Sequence, residues 1–285
     1  MPGGHSPGHS DRQLSTLRQP HPRNPDRQRV EHSGNGDRIV MCIDCGCGSS
    51  PHSHSHEHQH ETDSRTIRIG EDLLAKNNRL ADSNRQRLAQ QGIFTLNLVS
   101  SPGSGKTTLL ERTLQRLKSE LRFAVLEGDQ QTSNDADRIA ATGVPVHQIN
   151  TGTGCHLDAH MVGHGLDHFH LNQLDILMIE NVGNLVCPAP FDLGEDHKVV
   201  VLSVTEGEDK PLKYPHMFRA ATLMLINKTD LLPYLPFDLQ RCLSYARQIN
   251  PDMRIIELSC LTGEGLDEWF AWLTQQANQK RLKAT

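Results

Sequence analysis

Ile93-Phe94-Thr95-Leu96-Asn97-Leu98-Val99-Ser100-Ser101-Pro102-Gly103-Ser104-Gly105-Lys106-Thr107-Thr108 is an apolar run that passes through a glycine-rich turn into a lysine and two threonines. The apolar part reads as a strand buried on both faces, and residues 106–118 read as a helix. Between them, glycines let successive backbone N–H groups converge on phosphate oxygens at the helix N-terminus. Lys106 then reaches the β and γ phosphates as a point charge, and the Thr107 hydroxyl ligates Mg²⁺. Gly103, Ser104, Gly105, Lys106, Thr107 and Thr108 are therefore expected to hold a nucleotide. Ser100 stands where the pattern has its first glycine, so the turn must open in a conformation that a small non-glycine residue tolerates.

Outward from this turn the alternation repeats. Apolar runs at 123–126, 144–149, 174–179, 199–204, 222–226 and 254–258 read as further strands, with helical stretches between most of them. Upstream, Ile69, Leu73, Leu74, Asn77, Leu80, Ala81, Asn84 and Leu88 recur at helical spacing and Gly92 closes that helix. The expectation is an α/β fold of the P-loop NTPase (GTPase) kind, a mostly parallel sheet covered by helices on both faces, spanning residues 66–285. In such sheets ligands bind beyond the carboxyl ends of the strands.

The 285 residues exclude several classes. With 36% hydrophobic residues there is no run of 18 apolar residues, so no membrane helix is expected. The net charge of -5 has no block of like sign, which argues against a nucleic-acid partner. Seven cysteines is an odd number, and no apolar signal segment precedes them, so reduced thiols in a cytoplasmic protein fit better than a secreted disulfide scaffold.

Asn227-Lys228-Thr229-Asp230 follows the strand at 222–226. The Asp230 carboxylate can accept from both N1–H and the 2-amino group of guanine, whereas adenine would leave it buried and unpaired at a cost of at least ~1–3 kcal/mol. GTP is therefore the expected nucleotide, with Asn227, Lys228 and Asp230 around the base. Ser259 and Cys260, ahead of Leu261-Thr262-Gly263-Glu264-Gly265, resemble the serine-containing loop that supports guanine in GTPases.

Glu127-Gly128-Asp129 and Glu180-Asn181-Val182-Gly183 each end a strand with an acid near the phosphates. Such a carboxylate holds Mg²⁺ or orients the attacking water, and the glycine lets the loop move onto a γ phosphate. Asp129 is placed first for this catalytic role and Glu180 second, beside Lys106. The spacing leaves open which acid is the base.

Soft ligands form a second theme. Cys155 and His156 are adjacent, and Cys187 follows Glu180 by seven residues. Together they suit Ni²⁺ or Zn²⁺, and two copies meeting in a dimer would complete a three-ligand set. Nine of the 17 histidines precede residue 61. Residues 41–65 carry Cys42, Cys45 and Cys47 and then His52, His54, His56, His58 and His60, with no core-forming residues, and read as a metal-binding tail. Residues 1–40 read as a disordered extension, and a start of translation at Met41 is the competing reading. With that start and the Met removed, Cys42 would add an amine to its thiolate. His156, His160, His164 and His168 recur at i, i+4 and read as an exposed polar face.

Residues 71–272 resemble the HypB family, the GTPases that deliver nickel to nickel–iron hydrogenase. The resemblance rests on residues 76–80, 101–108, 127–132, 154–159, Glu180-Asn181-Val182-Gly183-Asn184-Leu185-Val186-Cys187-Pro188, 203–213 and 227–230. It implies a nucleotide-dependent homodimer, weak GTP hydrolysis to GDP and phosphate, and metal at Cys155, His156 and Cys187. It also implies a HypA-type metallochaperone partner and the hydrogenase large-subunit precursor as acceptor. In that family the Cys-x-x-Cys-x-Cys motif opens the chain, so residues 1–40 are a departure, and the histidine run matches members in which it resembles a nickel store. Storage of nickel as the main role and delivery to urease are the alternatives.

Overall fold

The computed structural model describes residues 59–129 and 134–284, with side chains from residue 70 onward. Seven parallel strands form one sheet: β1 (Phe94–Ser100), β2 (Phe123–Asp129), β3 (Val146–Asn150), β4 (Ile176–Glu180), β5 (His197–Ser203), β6 (Leu223–Asn227) and β7 (Arg254–Glu257). Their order is β3-β2-β4-β1-β5-β6-β7, so β1 lies at the centre with β4 on one side and β5 on the other. All seven residues of β1 are buried, as a strand covered on both faces requires. The helices are α1 (Gln59–Gln90), α2 (Lys106–Leu117), α3 (Asn134–Ala140), α4 (Ala159–Leu166), α5 (Lys210–Lys213), α6 (Pro215–Ala220), α7 (Leu239–Ile249) and α8 (Leu266–Ala284). Among the described residues, no helix is long and apolar enough to cross a membrane.

Strand positions agree with the alternation of the sequence to within a few residues. The first helix differs: it begins at Gln59, inside the stretch read as tail, and so takes in His60. Cys42, Cys45, Cys47, His52, His54, His56 and His58 lie outside the described residues, as do residues 130–133, which follow the acidic motif at 127–129.

Two details of packing position the site. Asn77 and Asn84, which share the inward stripe of α1 with Ala81 and Leu88, are buried with their amides hydrogen-bonded to backbone groups, whereas Leu73 of the expected stripe is exposed. Asn84 Nδ2 donates to the carbonyls of Ala159 and Leu193, at 2.7 and 3.1 Å. Asn77 donates to the carbonyl of Asp192 and accepts from the Ala159 N–H. The helix thus fastens the start of α4 and the 191–194 loop together, satisfying polar groups that burial would otherwise leave unpaired. Gly194 permits that contact: at φ 95° it occupies the left-handed region, and a Cβ there would lie 2.7 Å from the Ala81 carbonyl.

The second detail is the connection from β4 to β5. It crosses β1 without forming a helix, as residues 181–196. Its core is anchored by Lys198, buried at the start of β5, whose ammonium donates to the carbonyls of Pro188, Ala189 and Phe191 and faces Glu195 at 3.8 Å.

Candidate nucleotide and metal site

The glycine-rich loop, the acids ending β2 and β4, the Cys155-His156 pair and the Asn-Lys-x-Asp turn all follow strand carboxyl ends, where a parallel α/β sheet binds ligands, whereas His168 lies beside the starts of β2 and β3. The phosphate-type loop leaves β1 at Ser100 and enters α2 through Gly105, which at φ 100° takes a left-handed conformation. A Cβ at Gly105 would come within 2.5 Å of Asn227 Nδ2, so the glycine is required by close approach as well as by its φ. Lys106 is buried and donates to Ser100 Oγ at 2.7 Å. The serine at the first position of the pattern therefore gives the lysine a partner. Burial holds the Lys106 pKa below the ordinary lysine value, against the opposing charge of Glu180.

Opposite the lysine, the Thr107 hydroxyl donates to Glu180 Oε1 at 2.8 Å. Glu180 at the end of β4 is in register with Glu127 on β2, so two carboxylates stand side by side on neighbouring strands. Both are buried, and Glu127 Oε2 and Glu180 Oε2 make no hydrogen bond. Burial first, and then Glu180 and Asp129, push the Glu127 pKa up to about 8; burial pushes Glu180 up to about 7, opposed by Lys106 and Thr107. A hydroxyl and two orphaned carboxylate oxygens form a donor set that fits a hard divalent cation such as Mg²⁺. A cavity of about 550 Å³ opens beside them, lined also by Asp129, Asp135, Arg138, Gly183 and Lys228. Glu127, flagged by its motif but not selected from the sequence, becomes notable only through its register with Glu180.

A second cleft of about 250 Å³ adjoins the first, lined by Thr108, Asn227, Asp230, Cys260 and Leu261 among others. Asn227 organises it: Nδ2 donates to the Ser104 carbonyl, while Oδ1 accepts from the N–H groups of Lys228 and Cys260. Lys228 has φ 64° and donates from Nζ to the Gly103 carbonyl, tying the base-side loop to the phosphate loop. Ser259 Oγ donates to Asp230 Oδ1 at 2.5 Å and accepts from the N–H groups of Leu261 and Thr262. Cys260 contributes its backbone. Its thiol is buried in the core and its pKa is pushed up to about 11 by burial.

Cys155, His156 and Cys187 meet, with one ligand atom from each lying within 4.8 Å of the others. Cys155 Sγ is 3.6 Å from His156 Nδ1. His156 packs on Phe191 at 4.1 Å between centroids, and burial lowers its pKa, keeping the imidazole in the neutral form that binds metal. Two thiols and an imidazole suit Zn²⁺ or Ni²⁺. Asn184 joins the two loops: its Nδ2 donates to the Cys155 carbonyl while its Oδ1 accepts from Val186 N and Cys187 N. Asn181 adds a deeper link, accepting from Leu157 N and donating to Asn97 Oδ1 on β1. These two asparagines were missed as functional candidates because their roles depend on loops distant in sequence.

The four histidines at i, i+4 separate. His156 joins the thiols, His160 and His164 share the exposed face of α4, and His168 stacks on His147.

A parallel sheet with a glycine-rich loop at its central strand, buried Lys106 and Thr107, and a base-side Asn-Lys-x-Asp turn defines a P-loop NTPase. Residues 94–257 match the CobW/HypB/UreG nucleotide-binding domain family. The hydrogenase maturation factor HypB of Azotobacter vinelandii is 61% identical over 223 residues, covering 78% of this chain and 73% of the relative. The hydrogenase/urease maturation factor HypB of Helicobacter pylori is 40% identical, over 75% of this chain and 90% of the relative. The crystal structure of HypB from Helicobacter pylori in complex with nickel superposes with a TM-score of 0.69 at 38% identity, covering 72% of this chain and 97% of that one. The chain belongs to the HypB family of hydrogenase maturation factors.

Proposed function

We propose that this chain binds and hydrolyses GTP, and that the hydrolysis cycle gates nickel binding and its delivery to the large-subunit precursor of a nickel–iron hydrogenase. The observation that carries the reading is the segment from Glu180 to Cys187. At one end Glu180 accepts from Thr107 beside the phosphate loop; at the other Cys187 meets Cys155 and His156. A nucleotide that moves Gly183 against Pro102, where a Cβ would already lie 3.1 Å from the Pro102 Cα, moves a metal ligand four residues on.

In this reading the backbone of Gly103, Ser104 and Gly105, with Thr108, cradles the phosphates. Lys106 leaves Ser100 to neutralise charge on the β and γ groups. Asp230, supported by Ser259, accepts from guanine, with Asn227, Lys228 and Cys260 N–H shaping the cleft. Thr107 and Glu180, with Glu127 beside them, would hold Mg²⁺, which supplies charge neutralisation across the β and γ phosphates. Asp129 orients water for attack on the γ phosphorus and takes its proton as the bond to the β–γ bridging oxygen breaks, giving GDP and phosphate. Cys155, His156 and Cys187 take nickel or zinc as cargo, completed by a second copy in a homodimer. The ligands of residues 42–60 add a nickel reserve, and a HypA-type metallochaperone is the partner in a cytoplasmic pathway.

The test is a Ni²⁺ and Zn²⁺ titration of the full chain with GDP and with a non-hydrolysable GTP analogue, followed by sedimentation. Metal affinity or dimerisation that changes with nucleotide, and is lost in Cys187→Ala, is the expected result. An unchanged nucleotide response in that variant overturns the gating. The histidine run favours a second reading, storage, under which deleting residues 41–65 abolishes function while Cys155→Ala and Cys187→Ala do not. The name of the Helicobacter pylori relative makes urease a further acceptor to assay.

A further inference from the structure

We propose that His160 and His164 form a separate divalent-metal site on α4, a landing position for nickel or zinc outside the Cys155–His156–Cys187 cluster. Ala159, Val162, Gly165 and Leu166 are the buried face of this helix, which turns His160 and His164 together toward solvent one helical turn apart. Their Nε2 atoms lie 3.2 Å apart, with ring centroids 4.5 Å apart and planes at 78°. Two imidazole nitrogens each ~2.0–2.1 Å from one ion, at an angle of roughly 100°, are separated by about this distance. The pair is thus set at the bite of a chelate.

The stacked pair His147 and His168 makes the contrast. Its rings are nearly parallel, 14° between planes and 3.7 Å between centroids, so their in-plane lone pairs cannot converge on one ion.

The surroundings point toward the thiolate cluster. His160 and Asp158 line a cleft of about 150 Å³ with Phe191, whose ring packs on His156. Two imidazoles, with water completing the sphere, release an ion more readily than a set that includes thiolates, so an ion caught here would pass inward. That transfer rests on the metal reading of Cys155, His156 and Cys187; occupancy of the histidine pair does not.

The experiment is diethyl pyrocarbonate modification of the full chain with and without Ni²⁺, read by peptide mass spectrometry, which resolves each histidine despite the other ligands in the chain. Ni²⁺ is expected to slow modification of His160 and His164 together several-fold. In His164→Ala the protection of His160 is lost, and in the double variant Cys155→Ala/Cys187→Ala it persists. Equal modification with and without Ni²⁺ means that the two rings only share a proton in an N–H···N bond, and protection of His160 that survives His164→Ala means that His160 is covered without its partner; either result overturns the two-histidine site. Protection lost in the double cysteine variant merges His160 with the thiolate site and overturns the separate one. If the pair is protected but Cys155 and Cys187 show no metal-dependent change, it is the thiolate reading that fails.

Discussion

The Thr107 hydroxyl and Glu180 Oε1 are joined at 2.8 Å between the first turn of α2 and the end of β4, inside a cavity that also holds Lys106. A buried acid in that position loses both an acceptor and a charge if made an amide. Glu180→Gln is expected to lower GTP hydrolysis by ~10²-fold or more with the fold intact. Turnover at the wild-type rate with saturating Mg²⁺ would remove Glu180 from the site.

Glu127 makes the nucleotide-free chain sensitive to pH. Its folded pKa of about 8 exceeds the ordinary 4.5, so the stability that it contributes is present below about 4.5 and is lost as pH rises through about 8. The unfolding free energy of the nucleotide-free chain should fall over that window, Glu127 contributing at most about 1.4 kcal/mol per pH unit and Glu180, raised to about 7, adding its own loss in the lower part. Glu127→Gln should flatten the fall; the same slope in that variant would place the titration elsewhere.

Asp230 accepts from Ser259 and lines the cleft next to the phosphate loop. Asp230→Asn exchanges a double acceptor for a group that also donates, so GTP should weaken by at least about tenfold, from ~1–3 kcal/mol, while xanthosine triphosphate gains. Competition binding of the two nucleotides decides it. An unchanged ratio means that Asp230 does not read the base.

Lys198 holds three carbonyls of the loop just after Cys187 and faces buried Glu195. Lys198→Met leaves that buried acid without its cation, held only by hydrogen bonds from Asn97 Nδ2 and Leu193 N–H, and breaking a buried ion pair typically costs about 3–5 kcal/mol. Urea denaturation should show the loss, and Ni²⁺ affinity should fall because the Cys187 loop loses its brace. A midpoint equal to wild type would show that the acid is satisfied without the lysine.

Gly183 faces backbone atoms of Pro102 at 3.1–3.2 Å from an added Cβ. Gly183→Ala forces the switch segment and the phosphate loop apart by a few tenths of an ångström, and GTP turnover should fall several-fold while thermal stability changes little. Full activity would mean that the two segments do not need this contact.

What the sequence determined by itself was local or periodic. Apolar strand runs, the glycine-rich turn at 100–108 and the Asn-Lys-x-Asp turn at 227–230 carry their chemistry within a few consecutive residues, so the sheet and both halves of the candidate nucleotide site were legible from spacing alone. The adjacency of Cys155 and His156 was visible too. What only tertiary structure decided depends on pairs far apart in the chain. Strand order places Glu127 beside Glu180, and burial then raises both acids; neither follows from the residues taken singly. The bonds of Asn77 and Asn84 to the start of α4 and the 191–194 loop turn an ordinary helical stripe into a clamp beside the candidate metal ligands. The four evenly spaced histidines divided into three environments because α4 spans only residues 159–166, so equal spacing stopped meaning a shared face at its ends. Periodicity reports which side of one element is buried; it contains nothing about which other element lies there.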